Sequence, residues 1–116
     1  LTEYLAGLHT GLSKYFRPED TYAGNYLGAL EALDAGITTL VDWSHNLATP
    51  AHADAAIQAL KDTGMRAVFA HGGGSKQWGA PLPSPHNHPE DARRIRDQYF
   101  SDNTGLVTMA LALRGP

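Results

Sequence analysis

The chain has 116 residues, of which 42% are hydrophobic and 18% are charged, with a formal net charge of −3 and no cysteine. This composition supports one buried core and excludes a disordered polyelectrolyte. The absence of Cys excludes disulfides, thiolate metal sites and a Cys nucleophile, and it is compatible with the cytoplasmic location that we expect. Lys and Arg form no basic cluster that would favour nucleic acid as a partner, and no apolar run reaches the roughly 20 residues of a membrane span.

The first third of the chain is predicted to form a short helix and then a long one. Thr2 is a suitable N-cap for the short helix, and residues 13–17 are predicted to be a connection. Pro18 followed by Glu19 and Asp20 begins the long helix, because Pro suits the first turn and carboxylates suit the positive end of the helix dipole. Apolar side chains at helical spacing are expected to face the core: Tyr22, Tyr26, Ala29, Leu30 and Leu33.

Three junctions then lead from a helical stretch through Asp and Gly into an apolar stretch. They read Asp34-Ala35-Gly36, Asp62-Thr63-Gly64 and Asp102-Asn103-Thr104-Gly105. Gly just past a helix adopts the left-handed conformation without a Cβ clash. The strands that follow are predicted at residues 37–42, 66–71 and 106–113. Such strands alternating with helices indicate an α/β fold with a parallel sheet, in which we expect the first strand to be buried.

Two more helices are predicted from a Pro at the first turn. Thr49-Pro50 begins one of them and Pro89 begins the other, and the Gly- and Pro-rich residues 72–89 are predicted to be a long loop. The side chains expected to be buried are Ala53, Ala56, Ile57 and Leu60 in the first of these helices, and Ala92, Ile95 and Tyr99 or Phe100 in the second. Arg93, Arg94 and Arg96 alternate with acidic residues, which predicts a solvated charged face.

The carboxyl ends of parallel strands are where such sheets carry their functional groups. Asp42-Trp43-Ser44-His45 follows the first strand, and His71 ends the second. A His and a Trp that face a pocket are suited to bind a heteroaromatic substrate by hydrogen bonding and stacking, although a purely structural His fits the loop position as well. Asp42 is expected to pair with a Lys or Arg or to orient His45. These residues alone assemble no complete catalytic machinery.

Two other motifs leave different functions open. Gly72-Gly73-Gly74 lets the backbone approach a ligand closely, so one alternative is a small α/β module that binds an anion or a nucleotide. The chain has no Gly-Lys-Ser/Thr of a phosphate-binding loop beside it. His86-Asn87-His88 has the spacing of a zinc-binding pair, so the second alternative is a metal-binding protein. Because this pair lies in a loop before Pro89, we expect it to be a loop feature.

Residues 36–45 (GITTLVDWSH) resemble the amidohydrolase superfamily, in particular its cytosine deaminase-like and triazine hydrolase-like metal-dependent hydrolases. The resemblance continues through residues 51–56 (AHADAA), 64–72 (GMRAVFAHG) and 111–116 (LALRGP). It covers nearly the whole chain and implies a (β/α)₈ TIM barrel. Residues 1–116 are then expected to be a fragment of a metal-dependent hydrolase catalytic barrel that contains its second to fourth strands.

This resemblance implies a water activated by Zn²⁺ or Fe²⁺ that attacks a C–N or C–halogen bond of a heterocyclic or amide substrate. The family's metal ligands and acid/base residues lie on other strands, so the resemblance implies no catalytic and no metal-binding residue in this segment. It implies that His45, His71, Trp43 and Arg114 line the pocket for a small-molecule substrate. The segment alone is expected to be inactive and to need the rest of the barrel or self-association, with no nucleic acid or membrane partner.

Overall fold

A computed structural model describes residues 2–72, 90–102 and 104–112 and shows three parallel strands alternating with helices. A short α1 (Thr2–Tyr4) continues as a π-helical segment (Leu5–Gly11) and a 3₁₀ turn (Leu12–Tyr15). The remaining elements are α2 (Pro18–Asp34), β1 (Thr39–Ser44), α3 (Pro50–Asp62), β2 (Arg66–His71), α4 (Glu90–Tyr99) and β3 (Val107–Leu111). The predicted α/β class is confirmed. The predicted connection at 13–17 is wrong in its first part, which is helical.

The end of α2 explains why β1 begins later than predicted. Gly36 has a φ of 81°, and its amide donates to the carbonyl of Leu33 at 3.0 Å. The amide of Ile37 donates to the carbonyl of Ala32 at 2.9 Å, which completes a Schellman motif. Since this cap uses the Ile37 amide, the strand begins at Thr39 and extends to Ser44, two residues further along the chain than predicted at either end.

The three strands end at one level, which creates a well-defined carboxyl edge. The sheet order is β1-β2-β3 with both pairs parallel. Ser44 is aligned with His71, and His71 with Leu111. The amides of Gly72 and Ala112 continue the pattern by donating to the carbonyls of Ser44 and His71, at 2.8 and 3.0 Å.

The core lies between one face of the sheet and the helices. Every core position predicted for α3 is buried, and α4 contributes Ala92 and Ile95 as predicted, with Phe100 just beyond its end. The rings of Phe69 and Phe100 stack with centroids 6.4 Å apart. In α2 the prediction is wrong for Leu30 and Leu33, which are exposed, whereas the small Ala29 is buried in the core.

The opposite face of the sheet, called the bare face below, is largely uncovered at β1 in the described part of the chain, although Ala70 beside Trp43 is buried. Side chains alternate between the two faces along a strand. Leu40, Ala67, Phe69 and Val107 belong to the helix-covered face. On the other face, Val41 is 61% exposed and Trp43 is 53% exposed. The expectation of a buried first strand is therefore wrong for these side chains. None of the described helices is both long and apolar enough to cross a membrane.

Candidate functional site

The carboxyl edge joins the ends of β1 and β2 through a close backbone approach at Gly72. A Cβ added to Gly72 would lie 2.8 Å from the carbonyl oxygen of Ser44 and 3.1 Å from the Cα of His45. A residue with a side chain would push these two segments apart. The Gly72 amide is already used in its bond to Ser44, so it is not free to cradle an anion.

His45 follows β1 directly and is half-buried. Its Nδ1 lies 2.7 Å from the carbonyl oxygen of Trp43. Because a carbonyl only accepts, Nδ1 is the protonated nitrogen and donates in this bond. The neutral ring then has Nε2 as its acceptor. The bond fixes the orientation of the imidazole at the end of the strand.

His71 takes part in a chain of polar contacts that joins β2 to α4 and α3. Its side chain is buried, with 1% of the residue exposed, and its Nε2 lies 3.2 Å from Oδ2 of Asp91. The other oxygen of Asp91 accepts from Nε of Arg94 at 2.7 Å, and Arg94 also donates to Asp54 at 2.8 Å. The Nδ1 of His71 is buried with no hydrogen-bond partner.

This chain of contacts corrects the interpretation of the arginine-rich helix. Arg93 and Arg96 are exposed, as the prediction of a solvated face requires. Arg94 is the exception, because its guanidinium bridges Asp91 within α4 and Asp54 on α3. Arg94 thus forms an ionic link between α3 and α4.

His71 and Trp43 lie on opposite faces of the sheet. His71 follows Phe69 at a spacing of two, and the two rings contact edge to face with centroids 6.2 Å apart, so both side chains lie among the helices. Trp43 shares its face with the exposed Val41. The structure therefore brings these two predicted pocket residues to the same edge but not to the same face. Their roles in substrate binding remain predictions.

A second group of polar side chains, which the sequence did not reveal as a site, lies between α2 and the end of β1. Asn25 donates from its Nδ2 to Oδ2 of Asp42 at 3.1 Å. Burial raises the pKa of Asp42 to about 6, because desolvation of the carboxylate outweighs the hydrogen bonds from Ser44 and Asn25 and the attraction of His45. The expected Lys or Arg partner of Asp42 is not found in the described residues.

Asp42 and Asn25 border a cleft of about 210 Å³, called the α2–β1 cleft below. Its other lining residues are Phe16, Asp20, Thr21, Gly24, Trp43, Ser44, His45, Asn46 and Leu47. The hydroxyl of Thr21 is buried without a hydrogen-bond partner. The only sequence signal was the carboxylate near a strand end, since Asn25 and Thr21 lie on a helix with no motif around them.

A larger cleft of about 360 Å³ lies at the other end of the sheet, beside Gly64, Leu106 and the end of α4. It borders the amino ends of β2 and β3. Ligands in parallel α/β sheets bind at the carboxyl ends of the strands, so the chemistry of the carboxyl edge, rather than size, identifies the candidate site.

Several predicted residues lie outside the described ranges. These are Arg114, both histidines of the His86-Asn87-His88 motif, and Gly73 and Gly74. Within the described ranges, no group of three His, Asp or Glu side chains converges in a way that would hold a metal ion. The described residues therefore offer no metal centre of their own.

Comparison with known proteins gives one informative similarity. The chain is 44% identical over 54 residues to a 5-methylthioadenosine/S-adenosylhomocysteine deaminase of Symbiobacterium thermophilum. The match covers 47% of this chain but only 11% of that deaminase. No protein-family model and no solved structure matches the chain. The similarity supports a distant relationship to a deaminase, and deamination is one of the reactions that the sequence resemblance left open.

Proposed function

We propose that the chain is part of the catalytic barrel of a metal-dependent amidohydrolase of the deaminase type. The observation that carries this proposal is the 44% identity to a deaminase over 54 residues. In the reaction, water adds to a carbon that bears an amino group, the C–N bond breaks, and ammonia leaves as a carbonyl forms. The substrate class is a heterocyclic amine, for which the adenine ring in the name of the relative is the first candidate.

The architecture agrees with this proposal. In a (β/α)₈ barrel, parallel strands alternate with helices on the outside, while the inner face of the sheet is filled by side chains of the other strands. The bare face with Val41 and Trp43 is the face that such a barrel would turn inward. β1, β2 and β3 would then be the second, third and fourth strands of the barrel.

The proposed roles of the residues follow from their places. Trp43 on the inner face and His45 at the strand end would line the substrate pocket, and Arg114 is proposed to join them. The predicted role of His71 in the pocket stays untested; because its ring lies in the helix layer against Asp91, we propose that it also holds the strand end in place. The described residues do not form a set of ligands, so a Zn²⁺ or Fe²⁺ ion would need ligands from other parts of the protein.

The test is ammonia release by the protein that carries this chain, with 5-methylthioadenosine, S-adenosylhomocysteine and cytosine as substrates and with its metal content measured. We expect Trp43→Ala and His45→Ala to lower kcat/KM at least about tenfold through lost stacking and hydrogen bonding, with normal metal content. Arg93→Ala, on the exposed side of α4, is the matched control and keeps full activity. Absence of deamination with all three substrates would contradict the proposal, and loss of metal in His45→Ala would show that His45 is a ligand.

A further inference from the structure

The buried imidazole of His71 has one hydrogen-bond partner among the described residues, the carboxylate of Asp91. Its Nε2 lies 3.2 Å from Oδ2 of Asp91, and the two side chains are 2% and 14% exposed. Because Asp91 is ion-paired with Arg94, its carboxylate only accepts, and the Nε2 of His71 carries the proton that it donates. The Nδ1 of the neutral ring then has a lone pair and no partner in the described part of the chain. Asp91 therefore fixes both the tautomer and the orientation of this ring.

Asp91 is itself held by the packing of α3 against α4. Its Oδ1 accepts from Nε of Arg94 at 2.7 Å. The same guanidinium donates to Asp54 of α3 at 2.8 Å and to the carbonyl of Pro50, the first residue of α3, at 3.2 Å. Since this planar group is anchored on two helices, the Asp91 carboxylate has little freedom to follow the His71 ring if the ring moves. The position of α4 thus determines where the His71 side chain lies.

The main chain after His71 passes close to the segment that carries His45. His71 is aligned with Ser44 in the sheet, and the amide of Gly72 donates to the Ser44 carbonyl at 2.8 Å. A Cβ added to Gly72 would lie 3.1 Å from the Cα of His45 and 3.2 Å from its Cβ. His45 borders the α2–β1 cleft, and the bond from its Nδ1 to the Trp43 carbonyl orients its ring. A displacement at the end of β2 therefore either moves His45 or breaks its contact with the neighbouring strand.

We propose that Asp91 is a positioning residue for the candidate pocket and acts on His45 through His71 and Gly72. The inference rests on the proposed function in that it takes His45 as a pocket residue, and Asp91 itself does not touch the substrate. When the Asp91 carboxylate is removed, the Nε2–H of His71 is a buried donor without a partner, which costs free energy until the ring moves to find one. The end of β2 shifts with the ring, and the His45 imidazole loses its fixed orientation.

The first test observes the two imidazoles without any substrate. Histidine-selective ¹⁵N labelling of the protein that carries this chain gives nitrogen signals for each ring, and we expect a protonated Nε2 and an unprotonated Nδ1 for His71. Asp91→Ala is expected to change the signals of His45 as well as those of His71. Asp97→Ala, which removes an exposed carboxylate from the same helix, is the matched control and leaves both sets unchanged. A protonated Nδ1 on His71 in the wild type, or unchanged His45 signals in Asp91→Ala, would overturn the proposal.

Asp91→Asn separates the hydrogen bond from the charge. Its amide oxygen still accepts from the Nε2 of His71, so we expect the His45 signals to stay close to those of the wild type. If Asn changed them as much as Ala does, the hydrogen-bond route would be overturned. Should Asp91→Ala fail to fold, Arg94→Ala takes its place, because it releases the Asp91 carboxylate and is expected to change the His45 signals in the same way. Unchanged His45 signals in that variant would also contradict the proposal.

Deamination kinetics test the effect on the pocket. Asp91→Ala is expected to lower kcat/KM about ten- to a hundredfold, as displacement of an orienting group does. Because Asp91 acts through His45, Asp91→Ala has little further effect in the His45→Ala background, whereas a general loss of stability would lower activity equally in both backgrounds. Losses that multiply independently would overturn the proposal. If none of the substrates is deaminated while the His45 signals respond to Asp91→Ala, the proposed function fails and the positioning of His45 stands.

Discussion

Asp42→Asn is expected to stabilise the protein at neutral pH and to have almost no effect in acid. Burial raises the pKa of Asp42 from 3.8 to about 6, so the folded state favours the protonated carboxyl. Below about pH 4 the carboxyl is protonated in the folded state, so its burial does not lower the free energy of unfolding. As the pH rises through 6 the buried carboxyl must ionise, and the free energy of unfolding falls. Asn is isosteric, stays neutral, and can still accept the bond from Asn25.

The magnitude follows from the shift in pKa. A shift of about 2 units corresponds to roughly 3 kcal/mol at 1.36 kcal/mol per unit. Since Asp42 is only half-buried, solvent screening reduces this value, and we expect about 2 kcal/mol of stabilisation at pH 8. Urea unfolding of the wild type and of Asp42→Asn at pH 4 and pH 8 measures the difference. Other titrating groups cancel in this comparison.

Asp102→Asn is a control for which we expect the opposite change in the free energy of unfolding at pH 8. The backbone amide and hydroxyl of Thr104 donate to Asp102 and lower the pKa of its carboxyl. The ionised form is favoured in the folded state, so this substitution destabilises at pH 8 and loses its effect as the pH falls. If Asp42→Asn changed the free energy of unfolding equally at both pH values, or destabilised the protein more at pH 8, the assignment of a carboxylate whose pKa is raised by desolvation would be refuted.

Three further substitutions test other parts of the structure. Gly72→Ala places a Cβ 2.8 Å from a carbonyl oxygen and is expected to cost about 1–3 kcal/mol in urea unfolding, while Gly28→Ala meets open space and should be neutral or stabilising by up to about 1 kcal/mol. Arg94→Ala breaks the link between α3 and α4 and should cost about 1 kcal/mol more than Arg93→Ala; equal costs would show that the bridge adds nothing. Val41→Lys places a charge on the bare sheet face and is expected to reduce self-association of the chain, measured as a lower sedimentation coefficient than that of the wild type. If the wild type associates and the variant has the same sedimentation coefficient, the surface through which the copies associate lies elsewhere.

The strength of the local signals explains what the sequence could predict. Pro18 and Pro50 at helix starts, and Gly36 and Gly64 at positive φ after helix ends, identify the helices correctly. These signals act within a few residues. The Schellman cap of α2 also uses the amide of Ile37, so β1 lies two residues later in the chain than predicted.

The candidate site depends on contacts that no local pattern encodes. His71 and Trp43 both lie near strand ends, and the sequence could not show that the alternation places them on opposite faces. The bond from Asn25 to Asp42 joins residues 17 positions apart, and that from Arg94 to Asp54 joins residues 40 positions apart. Such pairs are set by how α2, α3 and α4 pack on the sheet.

The register of the sheet also bears on how the chain folds. Thr39 pairs with Arg66, 27 residues later, whereas Ala67 pairs with Val107, 40 residues later. Closing the longer connection costs about 0.3 kcal/mol more chain entropy, since this cost grows with the logarithm of length. The two pairings are therefore nearly equal in entropic cost, and side-chain burial decides which forms first. Helix α3 carries much of the buried apolar surface and lies between β1 and β2 in the chain, so we expect these two strands to form the folding nucleus. Pulsed hydrogen exchange would detect this as early protection of the Gly72 amide, which donates to Ser44 at the end of β1, over the Ala112 amide, which donates to His71 from the end of β3.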